Sequence, residues 1–205
     1  MKLYFVRHGE SKAKGYHSDP SIALSSTGIQ QARNVSNRFR NIPIDIIISS
    51  NHTRAQQTAE IISSSLSKKV FYTDLLGEWK IPSLLIGQKV DNPDAIKIKK
   101  ILRKNAKLQD WHYEDEENVT EFRNRIIQFF DYLSIFKEEN IMVVAHAGTI
   151  RMIIALITLR ELLTGEEFYR FDETFKTVNT GITYCERDDD GVWKIHTWND
   201  HAHLG

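Results

Sequence analysis

Three short polar segments, each following an apolar run, carry the side chains of this sequence that are best suited to chemistry. Arg7 and His8 follow the run Leu3–Val6, and the glycine after them permits a sharp turn and a close approach to a ligand. Arg54 and His146 follow two further apolar runs in the same way. A guanidinium matches the oxygens of a phosphate group, and an imidazole is a nucleophile or base that titrates near neutral pH. The pattern therefore predicts a site for a phosphate dianion.

The apolar runs themselves predict the strands that position these side chains. Short, β-branched and almost wholly apolar runs are typical of a parallel sheet buried on both faces. They occur at Leu3–Val6, Ile44–Ile48, Val70–Thr73 and Ile141–Ala145. Two later strands, Thr183–Arg187 and Val192–Thr197, flank an Asp-Gly hairpin signal.

Apolar residues at helical spacing predict helices between these strands. Ser25 and Ser50 are the expected N-caps of the first two helices. The clearest amphipathic pattern runs from Val119 to Phe136, and Asn140 is expected to end that helix. The alternation predicts an α/β fold, a three-layer α/β/α sandwich with a mainly parallel central sheet. Because ligands bind at the carboxyl ends of such strands, the polar segments should line one crevice.

The composition favours a single globular domain spanning residues 1–205. The chain is 41% hydrophobic and 26% charged, which is enough to build a core without disulfides. Its formal net charge is zero, so charge offers no argument for nucleic acid or an anionic membrane as a partner. The sequence has one cysteine and no recognisable signal peptide or transmembrane stretch, which together predict a cytoplasmic protein.

Residues 75–118 are less regular and are predicted to form an insertion or lid over the crevice. A helix expected from Asp94 to Lys104 is rich in lysine, which would suit the binding of an anionic substrate or partner. We interpret it instead as a solvated helix of the lid. His201 and His203 near the C-terminus resemble a metal cluster, but their place in a terminal tail favours no metal site.

Four motifs occur in order along the chain, Arg7-His8-Gly9-Glu10-Ser11, Leu24-Ser25-x-x-Gly28, Ser49-Ser50-x-x-x-Arg54-Ala55 and Val144-Ala145-His146-Ala147-Gly148. Together they resemble the motifs of the histidine phosphatase superfamily, also called the phosphoglycerate mutase-like family. The stretch that contains Glu78 is more similar to a phosphatase branch than to the glycolytic mutases.

The resemblance implies a covalent mechanism. His8 would be the nucleophile that becomes phosphohistidine, while Arg7, Arg54 and a protonated His146 would hold the phosphoryl group. Glu78 would be the general acid, so it must begin protonated, and it would later accept a proton from the attacking water. His8 must be neutral at the attacking nitrogen, so its other nitrogen should donate to a backbone carbonyl. No metal and no cofactor are required, because the arginines supply the positive charge.

The sequence departs from the family pattern at four positions, two of them adjacent. Lys14 stands where the family often has asparagine, and His52 belongs to an Asn-His pair that replaces Pro-Leu. We expect His52 to be a solvated first-turn residue. Ala147 replaces a common glycine, and its methyl group would narrow the phosphate pocket if its backbone N–H faces the phosphate. Pocket roles for Lys14, His52, His201 and His203 are left open.

The function predicted from these residues is metal-independent hydrolysis of phosphomonoesters through a phosphohistidine on His8. The expected partner is a phosphorylated small molecule or phosphoprotein, with no nucleic acid and no membrane. Two alternatives stay open, a cofactor-dependent phosphomutase and a non-catalytic protein that binds phosphorylated ligands. The sequence predicts neither the substrate nor the oligomeric state.

Overall fold

A six-stranded sheet forms the centre of the protein, whose computed structural model describes residues 1–17, 19–108 and 111–205. Its strands are β1 (Lys2–Arg7), β2 (Ile46–Ser50), β3 (Val70–Thr73), β4 (Asn140–Ala145), β5 (Ile182–Arg187) and β6 (Trp193–Asp200). They lie in the order β3-β2-β4-β1-β5-β6. The first four run parallel, and β5 and β6 are antiparallel to their neighbours. Ser18 in the predicted loop, and Gln109 and Asp110 in the predicted insertion, lie outside the described residues.

Helices cover both faces of this sheet. They are α1 (Ser26–Arg38), α2 (Thr53–Leu66), α3 (Pro93–Asn105), α4 (Val119–Leu133), α5 (Ala147–Leu159) and α6 (Gly165–Thr174). Side chains alternate along β4, so that Ile141 and Val143 pack with α4 and α5 while Met142 and Val144 pack with α1 and α2. The predicted three-layer α/β/α architecture is confirmed.

The register of the central strands brings the catalytic candidates together. Arg7 of β1 pairs with Ala145 of β4, so His8 and His146 are the next residues on two neighbouring strands. The His8 N–H donates to the Ala145 carbonyl oxygen at 2.9 Å. On the other side of β4, Ser49 pairs with Val144, which places Ser50 beside the same end of the strand. Three strand ends therefore converge on one crevice, as predicted.

Several predicted element boundaries are wrong. The N-cap of α2 is His52, and Ser50 accepts a hydrogen bond from the His52 N–H at 3.2 Å instead of capping the helix. The helix α4 ends at Leu133, and Asn140 is the first residue of β4. Helix α6 was not predicted, although Thr164 and Glu167 form a capping box at its start.

The segment predicted as an insertion has a small core of its own, in which Leu85, Ala95 and Ile98 are buried. Its backbone meets the loop after β1, because the His17 N–H donates to Gln88 and the Gly87 N–H donates to His17. Within the described ranges, no helix is long and apolar enough to cross a membrane.

Candidate active site

His8 lies buried at the centre of the crevice, with 6% of its surface exposed. Its Nδ1 lies 2.6 Å from the Gly9 carbonyl oxygen, and its Nε2 lies 3.1 Å from Arg54 Nε, which is a donor. This network assigns the proton to Nδ1 and leaves a lone pair on Nε2. Burial, followed by the charges of Arg54 and Arg7, holds the pKa of His8 well below its ordinary value. His8 is thus a neutral imidazole whose Nδ1 donates to a backbone carbonyl oxygen, as the sequence predicted, and whose ring lone pair lies on Nε2.

Two arginines surround this nitrogen. Arg54, in the first turn of α2, is 4% exposed, and its Nη1 donates to the Asp19 carbonyl oxygen at 3.2 Å. Arg7 donates from Nη1 to the Thr177 carbonyl oxygen at 2.6 Å, while its Nε is buried without a hydrogen-bond partner among the described residues. Arg7 is therefore held through Nη1, and Arg54 is held through both Nη1 and Nε. Each guanidinium keeps further N–H groups for a ligand.

His146 is fully buried, with its ring centroid 5.0 Å from that of His8. Its Nε2 lies 2.9 Å from Ser50 Oγ, and its Nδ1 has no partner in the described part of the chain. Burial is the largest cause that lowers its pKa well below 6.5, and His8 and Arg54 act in the same direction. These surroundings favour the neutral form of His146. A protonated His146 that holds a phosphoryl group stays a prediction.

His52 belongs to the site, contrary to the expectation that it is solvated. Its ring centroid lies 4.7 Å from that of His146, and its Nδ1 is buried without a described partner. Burial, and then the Arg54 charge, lower the pKa of His52 to about 4. The structure thus places a third neutral imidazole against the pocket.

Glu78 lies at the N-terminus of α5, which begins directly after His146. Its Oε1 accepts hydrogen bonds from the Thr149 and Trp79 N–H groups at 3.3 and 3.0 Å, and its Oε2 accepts one from Gly148 at 3.3 Å. A Cβ at position 148 would lie 2.6 Å from Oε1, so glycine makes room for the carboxylate. Ala147, the first residue of α5, keeps its backbone N–H without a partner among the described residues.

Arg125 of α4 fixes the segment that carries Glu78. Its Nη1 donates to the carbonyl oxygens of Leu75 and Gly77 at 2.8 and 2.9 Å, and Nε and Nη2 form a bidentate ion pair with Glu117. Thr149 Oγ1 also donates to Gly77 at 2.7 Å. The sequence analysis missed Arg125, because its position on α4 gives no sign of which loop it reaches.

A strained loop supports the end of β1 from the other side. Thr180 has φ of 58°, which is unfavourable for a β-branched residue, and its N–H donates to the Arg7 carbonyl oxygen at 2.9 Å. Asn179 Nδ2 donates to the His8 carbonyl oxygen at 2.9 Å. His203 Nε2 lies 3.0 Å from Thr180 Oγ1, so this histidine contacts the supporting loop.

The other two open positions have partners of their own. Lys14 is exposed and forms an ion pair with Glu10 at 2.6 Å. His201 Nδ1 lies 2.8 Å from the Asn199 carbonyl oxygen. Within the described ranges, no group of three or more His, Cys, Asp or Glu side chains is arranged to hold a metal ion.

The geometry agrees with the result of a comparison with protein families. The profile of the histidine phosphatase superfamily (branch 1) matches residues 3–201. This chain belongs to the histidine phosphatase superfamily. Enzymes of this family act through a phosphohistidine, and the chain is accordingly a phosphatase of the histidine type.

Relatives within the superfamily carry phosphatase names. The chain is 29% identical to a probable phosphatase of Schizosaccharomyces pombe, over all of this chain and 95% of that protein. It is 27% identical to the adenosylcobalamin/alpha-ribazole phosphatase of Escherichia coli, over 76% of this chain and 78% of that protein. A phosphoserine phosphatase of Entamoeba histolytica has the same fold, with a TM-score of 0.80 at 23% identity over 100% of this chain and 99% of that one.

Proposed function

We propose that this histidine phosphatase hydrolyses small phosphomonoesters with His8 as the nucleophile. His8 Nε2 attacks phosphorus, the bond from phosphorus to the ester oxygen breaks, and Glu78 gives its proton to the leaving oxygen. Water then attacks the phosphohistidine and loses a proton to the Glu78 carboxylate. The bond between phosphorus and nitrogen breaks, which releases inorganic phosphate and restores His8.

The arrangement of unpaired donors around His8 carries this proposal. Arg7 Nε and His146 Nδ1 are buried and have no partner among the described residues, although buried polar nitrogens are normally hydrogen-bonded. In this structure the Nε2 lone pair of His8 accepts the Arg54 Nε–H, and that hydrogen bond is given up when the same lone pair attacks phosphorus. Phosphoryl transfer depends mainly on positioning and on stabilisation of the phosphoryl oxygens, and these groups are suited to both.

Glu78 has two unequal oxygens, which bears on its role as the acid. Oε1 accepts two backbone hydrogen bonds, whereas Oε2 accepts only a long one from Gly148 at 3.3 Å. Oε2 therefore has more capacity to carry a proton. We assign the proton transferred to the leaving group to this oxygen.

We infer that two cations favour a small substrate with a second anionic group, since Arg151 interacts electrostatically with Arg7 of the site and Lys99 with His17 in the loop after β1. Arg151 lies one turn beyond Ala147 on α5 and pairs with Asp172 of α6 at 2.7 Å. Lys99 of α3 lies one turn before Arg103, which forms an ion pair with α6. Asp172 interacts electrostatically with Lys99, whose pKa is lowered mainly by burial. Lys99 has no carboxylate within 4.0 Å in the described part of the chain, so its charge is available to a ligand.

We expect Lys99→Gln to reduce the preference for a carboxylate on the substrate. The specificity constant kcat/KM for phosphoserine, divided by that for phosphoethanolamine, should fall about five-fold, the size of a partly solvated ion pair. These esters differ only in the carboxylate. Both lysines are exposed, but successive helix residues point about 100° apart, so Lys100→Gln is the control and should leave the ratio unchanged. Equal ratios in the wild type and Lys99→Gln would contradict a role for Lys99.

The proposed function is tested by phosphate release from p-nitrophenyl phosphate and a panel of small phosphomonoesters in excess chelator. We expect turnover that the chelator does not reduce. Tight binding of inorganic phosphate without turnover on any ester would instead favour a non-catalytic protein that binds phosphorylated ligands.

The low cysteine content supports a cytoplasmic location, in which small phosphorylated metabolites are abundant.

One relative keeps a phosphomutase under consideration. The chain is 26% identical to a probable phosphoglycerate mutase of Erwinia tasmaniensis, over 77% of this chain and 74% of that protein. Incubation with 3-phosphoglycerate and catalytic 2,3-bisphosphoglycerate separates the two activities. Isomerisation that outpaces phosphate release would overturn the phosphatase assignment.

A further inference from the structure

Ser50 has a buried hydroxyl that bears directly on His146. The side chain of Ser50 is fully buried at the end of β2, and its Oγ lies 2.9 Å from His146 Nε2. The same oxygen accepts the His52 N–H at 3.2 Å. The described residues offer the Ser50 hydroxyl proton no acceptor other than His146 Nε2.

This arrangement distinguishes the two neutral forms of the His146 ring. If Ser50 donates to Nε2, its own proton has an acceptor, the His52 N–H keeps its partner, and the ring proton lies on Nδ1. If Nε2 carried the proton, the Ser50 hydroxyl proton would be buried without an acceptor, and Nδ1 would present a lone pair. A buried unsatisfied donor is costly, so the first form is favoured.

We propose that Ser50 is a positioning residue that fixes His146 in the Nδ1–H tautomer. Because Nε2 is occupied by Ser50, Nδ1 is the only ring nitrogen that can meet a ligand. In this tautomer neutral His146 donates a hydrogen bond to a phosphoryl oxygen, whereas the other tautomer would repel that oxygen with a lone pair. The inference rests on the proposed function in one respect, that the ligand of the pocket is a phosphoryl group.

The tautomer can be measured in the whole protein without any substrate. We expect the ¹⁵N chemical shifts of the His146 ring, assigned by comparison with His146→Gln, to show a protonated Nδ1 and an unprotonated Nε2 at pH 7.5. A protonated Nε2 in the wild type would overturn the proposal. In Ser50→Ala the population with Nε2 protonated should rise, and an unchanged tautomer in a folded variant would also overturn it.

A kinetic experiment tests the consequence. Loss of one well-placed donor to phosphate should lower kcat about ten-fold in Ser50→Ala and raise the Kd of inorganic phosphate by a similar factor. Ser49→Ala is the matched control, since Ser49 is equally buried and its hydroxyl donates only to the Ser50 carbonyl oxygen at 2.9 Å. Ser50→Thr, which retains the hydroxyl, should recover phosphate affinity.

The two readouts separate this proposal from the proposed function. A wild type with the expected tautomer and phosphate binding, but without turnover, would contradict the hydrolase and leave the role of Ser50 intact. Turnover together with a protonated Nε2 would contradict the role of Ser50 alone. If Ser50→Ala does not fold, the wild-type spectrum still decides between the tautomers.

Discussion

Replacement of His8 by alanine should abolish phosphate release, with a fall in kcat of at least about 10⁴-fold, because no other group can form the covalent intermediate. His52 and His146, the other imidazoles of the pocket, do not replace it. Nε2 of His146 is hydrogen-bonded to Ser50. Arg54 Nε, which fixes the position of the nucleophilic nitrogen, donates to His8. The variant should still bind inorganic phosphate, since both arginines and His146 remain.

Rapid acid-free quenching with a ³²P-labelled ester should detect a base-stable, acid-labile phosphoenzyme in the wild type and none in His8→Ala. His196→Ala is the control, because this imidazole lies on β6, is largely exposed and pairs with Glu186 at 3.3 Å. Hydrolysis by His8→Ala at a rate close to the wild type would show that another nucleophile, or water itself, attacks the phosphorus.

Replacement of Glu78 by glutamine should slow the reaction according to the leaving group. An alkyl phosphate needs a proton on its leaving oxygen, so its kcat/KM should fall about 10²- to 10³-fold, the usual contribution of a general acid. The leaving group of p-nitrophenyl phosphate is p-nitrophenolate, which is a stable anion and needs no proton. Formation of the phosphoenzyme from this substrate should therefore change little. Glutamine retains a carbonyl oxygen for the N-terminus of α5 but has no acidic proton to transfer.

The measurement is the dependence of kcat/KM on leaving-group pKa for a series of aryl and alkyl phosphates, which should become steeper in Glu78→Gln. The same variant should accumulate phosphoenzyme from p-nitrophenyl phosphate, since the base for the attacking water is lost. Glu60→Gln, at an exposed position of α2, should match the wild type. An unchanged slope would assign the acid to another residue.

Local sequence patterns predicted most of the sheet and the residues at its carboxyl edge. The runs that became β1 and β4 are apolar enough to be buried on both faces of a parallel sheet, and the two strands pair in parallel. Arg7, His8, Arg54 and His146 could therefore be grouped before any coordinates. Ser25 was also correctly predicted as an N-cap, since its Oγ accepts the Gly28 N–H at 3.1 Å.

The features that were missed depend on contacts between elements distant in the chain. His52 was expected in solvent because its neighbours in sequence are polar, but its ring packs against His146, 94 positions later. Helix α6 carries a single fully buried side chain, Phe168, so its apolar pattern was too weak to detect. The surroundings that favour neutral His146 were also not predictable, because a sequence gives neither the depth of burial nor the proximity of two guanidiniums.

The burial of Cys185 makes it practical to place a single label on residues 75–118, the segment predicted to be a lid. It is the only cysteine in the sequence, it lies fully buried in β5, and burial raises the pKa of its thiol to about 12. A maleimide needs an accessible thiolate, so the native protein should resist labelling. A cysteine introduced on the exposed face of α3 would then carry a fluorophore at one defined position, and its signal would report how the segment responds when phosphate binds.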